Sequence, residues 1–358
     1  MLEKTLRLLR AKYSRVFFTP GNNEYRFGRQ ELHAWEEQQG GNEAEVGNDG
    51  DGVLVDGDED VEGQLPADAC TDSGNGSGSK SRPGSRSNVG GSRGAWQGFR
   101  DSIEKLERGI LPLCERLGVE TEAALIDDAV WIVPLFAWYQ PSFSSNWANE
   151  GDDDYDKALA SESNLSYQRG WLDFRRVIWP SEWLEEEQAQ GRLRHTWRRD
   201  SVRDRHKAPA VAARKLRERN EAAIARVLEQ NRELHAPVVS FSHFLPRREL
   251  LGFVARSLRP TLEMVVGDTE LGQQIEQLDS EVHVYGHTHI NDERTIGRIR
   301  YVQHSLGHPG ERGTWISGFK KAKEPKLVMT ARALAQQQHS RSSSSSTIVA
   351  TEQDAGSE

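Results

Sequence analysis

Val282-His283-Val284-Tyr285-Gly286-His287-Thr288-His289 is an apolar run that stops at a glycine and then delivers two histidines one residue apart. Residues at i and i+2 point to the same side of an extended backbone, so the run predicts a strand end with His287 and His289 facing one cleft. Gly286 allows the main chain to come close to whatever the two imidazoles hold. The plainer reading of Gly-His-x-His taken alone is a chance pair of surface histidines.

Two more segments bear on that choice. Val238-Val239-Ser240-Phe241-Ser242-His243-Phe244 is a β-branched and aromatic run that also ends near a histidine. Val16-Phe17-Phe18-Thr19-Pro20-Gly21-Asn22-Asn23-Glu24 reads as a strand closing on a Pro-Gly turn, followed by two carboxamides and a carboxylate. Three strand ends therefore offer Asn22, His243, and the pair His287 and His289. Open α/β sheets collect ligands outside the carboxyl ends of their strands, which is where these groups are expected.

In order and spacing these segments resemble the calcineurin-like metallophosphoesterase superfamily, whose motifs include Gly-Asn-His-Asp/Glu, a strand-terminal His and Gly-His-x-His. The segments around Phe241 to Leu250 and Arg298 to Arg312 look like a plant and algal branch of it. The resemblance implies an α/β fold in which a two-sheet β-sandwich is flanked by helices. It also implies two divalent metal ions, Mn, Fe or Zn, with Asn22, His243 and His287 as ligands of one and His289 as a ligand of the other. Such ions, about 3.5 to 4 Å apart, would bind phosphoryl oxygens and activate a water for in-line attack.

The departures from the family pattern are specific. Its first two motifs, Asp-x-His and Gly-Asp, have no counterpart before Gly21, and they would supply the carboxylate that bridges the metals. The expectation is thus an N-terminally incomplete phosphoesterase domain, or a protein that has lost activity. Asn23 stands where the family has a histidine that protonates the leaving group. A carboxamide does not titrate near neutral pH and cannot do so.

Composition narrows the partners. A formal net charge of −9 and a sequence pI of about 5.7 disfavour nucleic acid as a partner of the whole molecule. The two cysteines, Cys70 and Cys114, form no thiolate zinc spacing and suggest a reducing compartment. The longest apolar run, residues 129–139, is too short to span a bilayer and contains Pro134. An intracellular, cytoplasmic protein without a membrane partner is expected, with organellar targeting left to any upstream segment; protein partners are not specified.

Residues 37–95 read as a disordered acidic, Gly- and Ser-rich insertion, because so few apolar residues cannot offset the chain entropy. Within it, Gly74 to Ser81 only superficially resembles a phosphate-binding loop, since Ser79 replaces the required glycine. Residues 326–358 read as a disordered Ser-rich tail. This leaves residues 1–36 and 96–325 as two parts of one domain. Residues 1–15 should form a helix docked through Leu2, Leu6 and Leu9. Asp101 and Glu104 have capping-box spacing at the head of a helix with a possible kink at Pro112, and residues 129–137 should be a buried strand.

Other features carry blander readings. Trp138 and Tyr139 are expected in the core, with Gln140 beside them. Asp152, Asp153 and Asp154 read as a solvated loop, and the basic run 192–219 as a solvated helix face that could alternatively steer a phosphorylated substrate. Residues 211–234 continue as a helix. His283 reads as structural, His304 and His308 have no assigned role, and Glu24 either bonds the site or caps the turn after it. The functional expectation is metal-dependent hydrolysis of a phosphate ester, impaired in this chain. The alternative is a noncatalytic relative that binds a metal or phosphate and acts through protein contacts.

Overall fold

The computed structural model describes residues 1–28, 31–32, 98–144, 171–191, 207–252, 259–306 and 324–330. The expected insertion 37–95, the Asp152 to Asp154 loop, His308 and most of the tail lie outside the described residues, as does the start of the basic run.

The chain opens with α1 (Leu2–Lys12), docked through Leu6 while Leu8 and Leu9 stay exposed. A single turn, α2 (Asn22–Tyr25), follows the Pro-Gly segment. Next comes α3 (Ser102–Lys105), capped by Asp101, whose carboxylate accepts the amides of Ile103 and Glu104 at 2.9 and 2.8 Å. Glu104 turns to the Arg100 amide at 2.6 Å instead of completing a reciprocal box. The helix then widens into a π-turn (Leu106–Ile110) and resumes as α4 (Leu111–Arg116). Pro112 has no amide hydrogen and its ring crowds the preceding turn, which is where the π-turn falls.

After β1 (Ala124–Ile126) and β2 (Val130–Pro134), the chain passes through α5 (Leu172–Arg176) and α6 (Ser181–Ala189) to the long helix α7 (Lys207–Leu234). Then follow β3 (Val238–Phe241), α8 (Arg259–Val266), α9 (Thr269–Gln277), β4 (Ser280–Tyr285), β5 (Asp292–Ile296) and β6 (Ile299–Gln303). They build a six-stranded sheet in the order β1-β2-β3-β4-β6-β5. Its four inner strands are mutually parallel, and both edge strands are antiparallel to their neighbours. The fold is α/β, with a mixed sheet and flanking helices.

Side-chain alternation along the inner strands sorts two apolar layers. Val238, Tyr285, Ile299 and Tyr301 join the main core with Ala212, Leu216 and Ile224 of α7. Val239, Val282 and Val302 face the other way and form a separate cluster, covered in part by Val328 and Met329. Only this one sheet is formed among the described residues, so the expected second sheet is not seen there. One further expectation is corrected. Residues 16–18 are extended but join no strand of the sheet; Phe17 makes an isolated parallel bridge with Glu120.

Candidate metal centre

The parallel register sets three chain segments side by side. Pairing of β3 with β4 continues past both strand ends, with the Ser242 amide on the Val284 carbonyl and the Gly286 amide on the His243 carbonyl, each at 3.0 Å. Next to β3, the Leu135 carbonyl beyond β2 accepts the Thr19 hydroxyl at 2.9 Å, which hangs the Pro20-Gly21 turn beside the same edge. The one-turn α2 is then held from behind. Ser102 Oγ donates to the Tyr25 carbonyl at 2.7 Å, Lys105 Nζ to that of Arg26 at 2.5 Å, and the Phe27 amide to that of Arg176 at 2.7 Å.

The consequence is a convergence of three side chains. His243 Nε2 lies 3.0 Å from Asn22 Oδ1 and 3.1 Å from His287 Nδ1. Gly21 makes the first contact possible, since a Cβ there would stand 2.6 Å from His243 Nδ1. Phe244 forms the floor, with its ring centroid 4.9 Å from that of His243 and 4.7 Å from that of His287. Trp138 packs on Phe244 and Tyr25 and joins the floor to α2. Trp138 and Tyr139 are thus buried core aromatics, and Gln140 is bonded to Asp268 at 2.5 Å.

Both rings are held uncharged. Desolvation by the surrounding protein, then the charges of His289 and Arg26, push His243 down to about 3. His287 is likewise driven well below its ordinary value, first by desolvation and then by His243, His289 and Arg26. Neutral imidazoles and a carboxamide oxygen are metal-ligand types.

Proton counting shows why the donor set suits a cation. A neutral imidazole has one N–H, and the Asn22 oxygen has none. Where one ring nitrogen sits 3.0 and 3.1 Å from two other lone-pair atoms, one proton can point squarely at only one of them. Donor atoms around an ion at about 2.0 to 2.1 Å stand roughly 3 Å from each other, which is the observed spacing. Among the described residues no group of three or more His, Cys, Asp or Glu side chains could hold a metal ion; the third donor here is a carboxamide.

His289 lies close enough to influence both rings electrostatically, without joining them as a third such donor. His287 and His289 do not sit on an extended backbone, as i and i+2 spacing suggested. β4 ends at Tyr285, and the two residues adopt left-handed conformations with φ of 70° and 57°. Such geometry costs on the order of 1 to 3 kcal/mol per residue and concentrates at functional sites. Asn23 is exposed and accepts a 2.7 Å bond from Arg26 through its Oδ1. Glu24 caps the turn, accepting the Gly21 amide at 2.8 Å.

Three residues at the site were not singled out from sequence. Asp173, fully buried, accepts from Arg26 Nε at 2.5 Å, Trp171 Nε1 at 2.8 Å and Asn22 Nδ2 at 3.4 Å. Trp171 also meets the His287 ring edge-on, with centroids 6.4 Å apart. The only advance sign was an acid embedded in the apolar-aromatic stretch Trp171-Leu172-Asp173-Phe174.

No protein-family model matches the chain, and no curated protein matches it. Among solved structures it is similar to the phosphopantetheinyl hydrolase of Mycobacterium tuberculosis. The likeness has a TM-score of 0.43 and 14% sequence identity over 88% of this chain and 78% of that one.

Proposed function

We propose that the chain holds a divalent metal ion through Asn22, His243 and His287 and uses it on a phosphate ester. The convergence of their three donor atoms at 3.0 and 3.1 Å carries this reading. A bound ion would supply Lewis acidity toward a phosphoryl oxygen. The two imidazoles and the carboxamide are uncharged, so the ion's charge is left for an anionic substrate. Arg26, ion-paired with Asp173, stands beside the site, and the Phe244 and Trp171 rings pack against its histidines.

The resemblance to calcineurin-like metallophosphoesterases extends this proposal. It makes His289 a ligand for a second ion and places a further sheet over the Val239, Val282 and Val302 face. It takes residues 1–36 and 96–325 as one catalytic domain, separated by the insertion 37–95 and followed by the tail 326–358. Mn, Fe and Zn all suit the donor types. The noncatalytic reading, binding of metal or phosphate without turnover, is favoured by one observation: Asn23 offers a carboxamide, tied to Arg26, where a proton donor is wanted.

The test is hydrolysis of p-nitrophenyl phosphate and its bis ester by the full chain, with and without Mn²⁺, beside metal content. The proposal expects slow, metal-dependent turnover that disappears in His243→Ala. Stoichiometric metal with no turnover selects the noncatalytic reading, and no metal uptake contradicts both.

A further inference from the structure

The geometry points to Asp173 as a positioning residue that fixes which end of the Asn22 carboxamide faces His243 and His287. An asparagine presents an acceptor oxygen or a donor NH2 of nearly the same shape, and only the oxygen can serve as a metal ligand. Asp173 Oδ1 accepts Asn22 Nδ2 at 3.4 Å, so the NH2 is drawn away and Oδ1 stands 3.0 Å from His243 Nε2. A flipped amide would turn its oxygen toward a carboxylate and lose this bond.

The carboxylate is itself held from two sides. Arg26 Nε donates to Oδ1 at 2.5 Å and Trp171 Nε1 to Oδ2 at 2.8 Å. Asp173 is on α5 and the ring of Trp171, the residue before that helix, lies against His287. One short stretch of chain therefore touches two of the three donors, across 151 residues of sequence in the case of Asn22. Groups behind ligating side chains commonly affect metal affinity by about 10 to 100-fold through such orientation.

The inference rests on the metal-binding reading, and a cycle of variants separates the two. Mn²⁺ affinity of the full chain is measured from the signal of free Mn²⁺, with circular dichroism confirming the fold of each variant. Asp173→Asn should weaken binding about tenfold, because the replacement amide offers either end to Asn22. In an Asn22→Asp background there is no amide end to choose, and a second carboxylate now faces Asp173. There the same Asp173→Asn change should strengthen binding.

A role confined to supporting the fold would give losses of equal sign in both backgrounds, and that result, or no loss in the single variant, overturns the inference while leaving the metal site standing. Should Asp173→Asn fail to fold, Trp171→Phe keeps the ring and removes one hydrogen bond to the carboxylate. About threefold weaker binding is expected from it, and unchanged affinity counts against the inference. Absence of Mn²⁺ binding by the unsubstituted chain overturns both the inference and the reading beneath it.

Discussion

His283 and the pair His243 and His287 lie within one neighbourhood of the β3 and β4 ends, yet their protons can be counted to opposite conclusions. Around His283 the count closes. Ser242 Oγ donates to the Phe244 carbonyl at 3.0 Å and so accepts the His283 Nε2 proton at 3.0 Å, while Ser240 donates to Nδ1 at 2.8 Å and accepts from Ser280 at 2.9 Å. Every hydroxyl and both ring nitrogens are satisfied by one neutral tautomer. At the Asn22, His243 and His287 cluster, a carboxamide oxygen and a ring nitrogen both crowd His243 Nε2, whose single proton can point squarely at only one of them. Burial alone therefore does not set the proposed metal site apart from His283; the crowding of lone-pair atoms does.

The sharpest way to break this contrast is to remove one histidine from each set. His243→Ala and His287→Ala should each weaken metal binding enough to leave far less than stoichiometric metal after dialysis, while His283→Ala should retain it and lose stability, as read by metal analysis. Loss of uptake in all three to the same degree would show that the contrast has no functional meaning.

Gly21→Ala should follow in size. A methyl group 2.6 Å from His243 Nδ1 must displace a ring that is packed on Phe244. An overpacking cost of about 1 to 3 kcal/mol in chemical denaturation is expected, together with weaker metal binding. If metal affinity survives unchanged, the ring has room that the contact distances deny.

Burial lowers His283 to about 3, whereas the unfolded chain titrates near 6.5. Because the unfolded state binds the proton first, the stabilisation from neutral His283 is complete above roughly pH 6.5 and is lost as pH falls from there toward 3. The stability of His283→Gln should accordingly fall less steeply over that window, measured by urea unfolding at several pH values. An identical slope in both proteins would place the acid sensitivity elsewhere.

Much of this contrast was legible in the sequence. β3 and β4 follow from β-branched and aromatic runs, and the histidines just past their ends fall where a parallel sheet gathers side chains. The rest depends on interactions that local pattern does not encode. Residues 16–18 look like a strand, but a strand is defined by its partners, and among the described residues theirs is only Glu120. The left-handed backbone of His287 and His289 is imposed by the surrounding fold on residues that do not require it. Asp173 reaches Asn22 across the intervening chain, so nothing near either residue announces the pair.

The smallest expected effect distinguishes substrate chemistries. Asn23 is exposed, so Asn23→His should change stability by no more than about 0.5 kcal/mol. On an alkyl phosphate, whose leaving group needs a proton, it should raise the rate; on p-nitrophenyl phosphate it should do little, because nitrophenolate leaves unprotonated. Equal gains on both esters would remove Asn23 from the leaving-group role.

The most direct measurement is X-ray absorption of the zinc-loaded full chain, which counts imidazole scatterers around the ion. The account predicts imidazole nitrogens at about 2.0 to 2.1 Å, with one fewer in His243→Ala and one fewer in His287→Ala, and no change in His283→Ala. An imidazole count that stays the same when His243 or His287 is removed would contradict it.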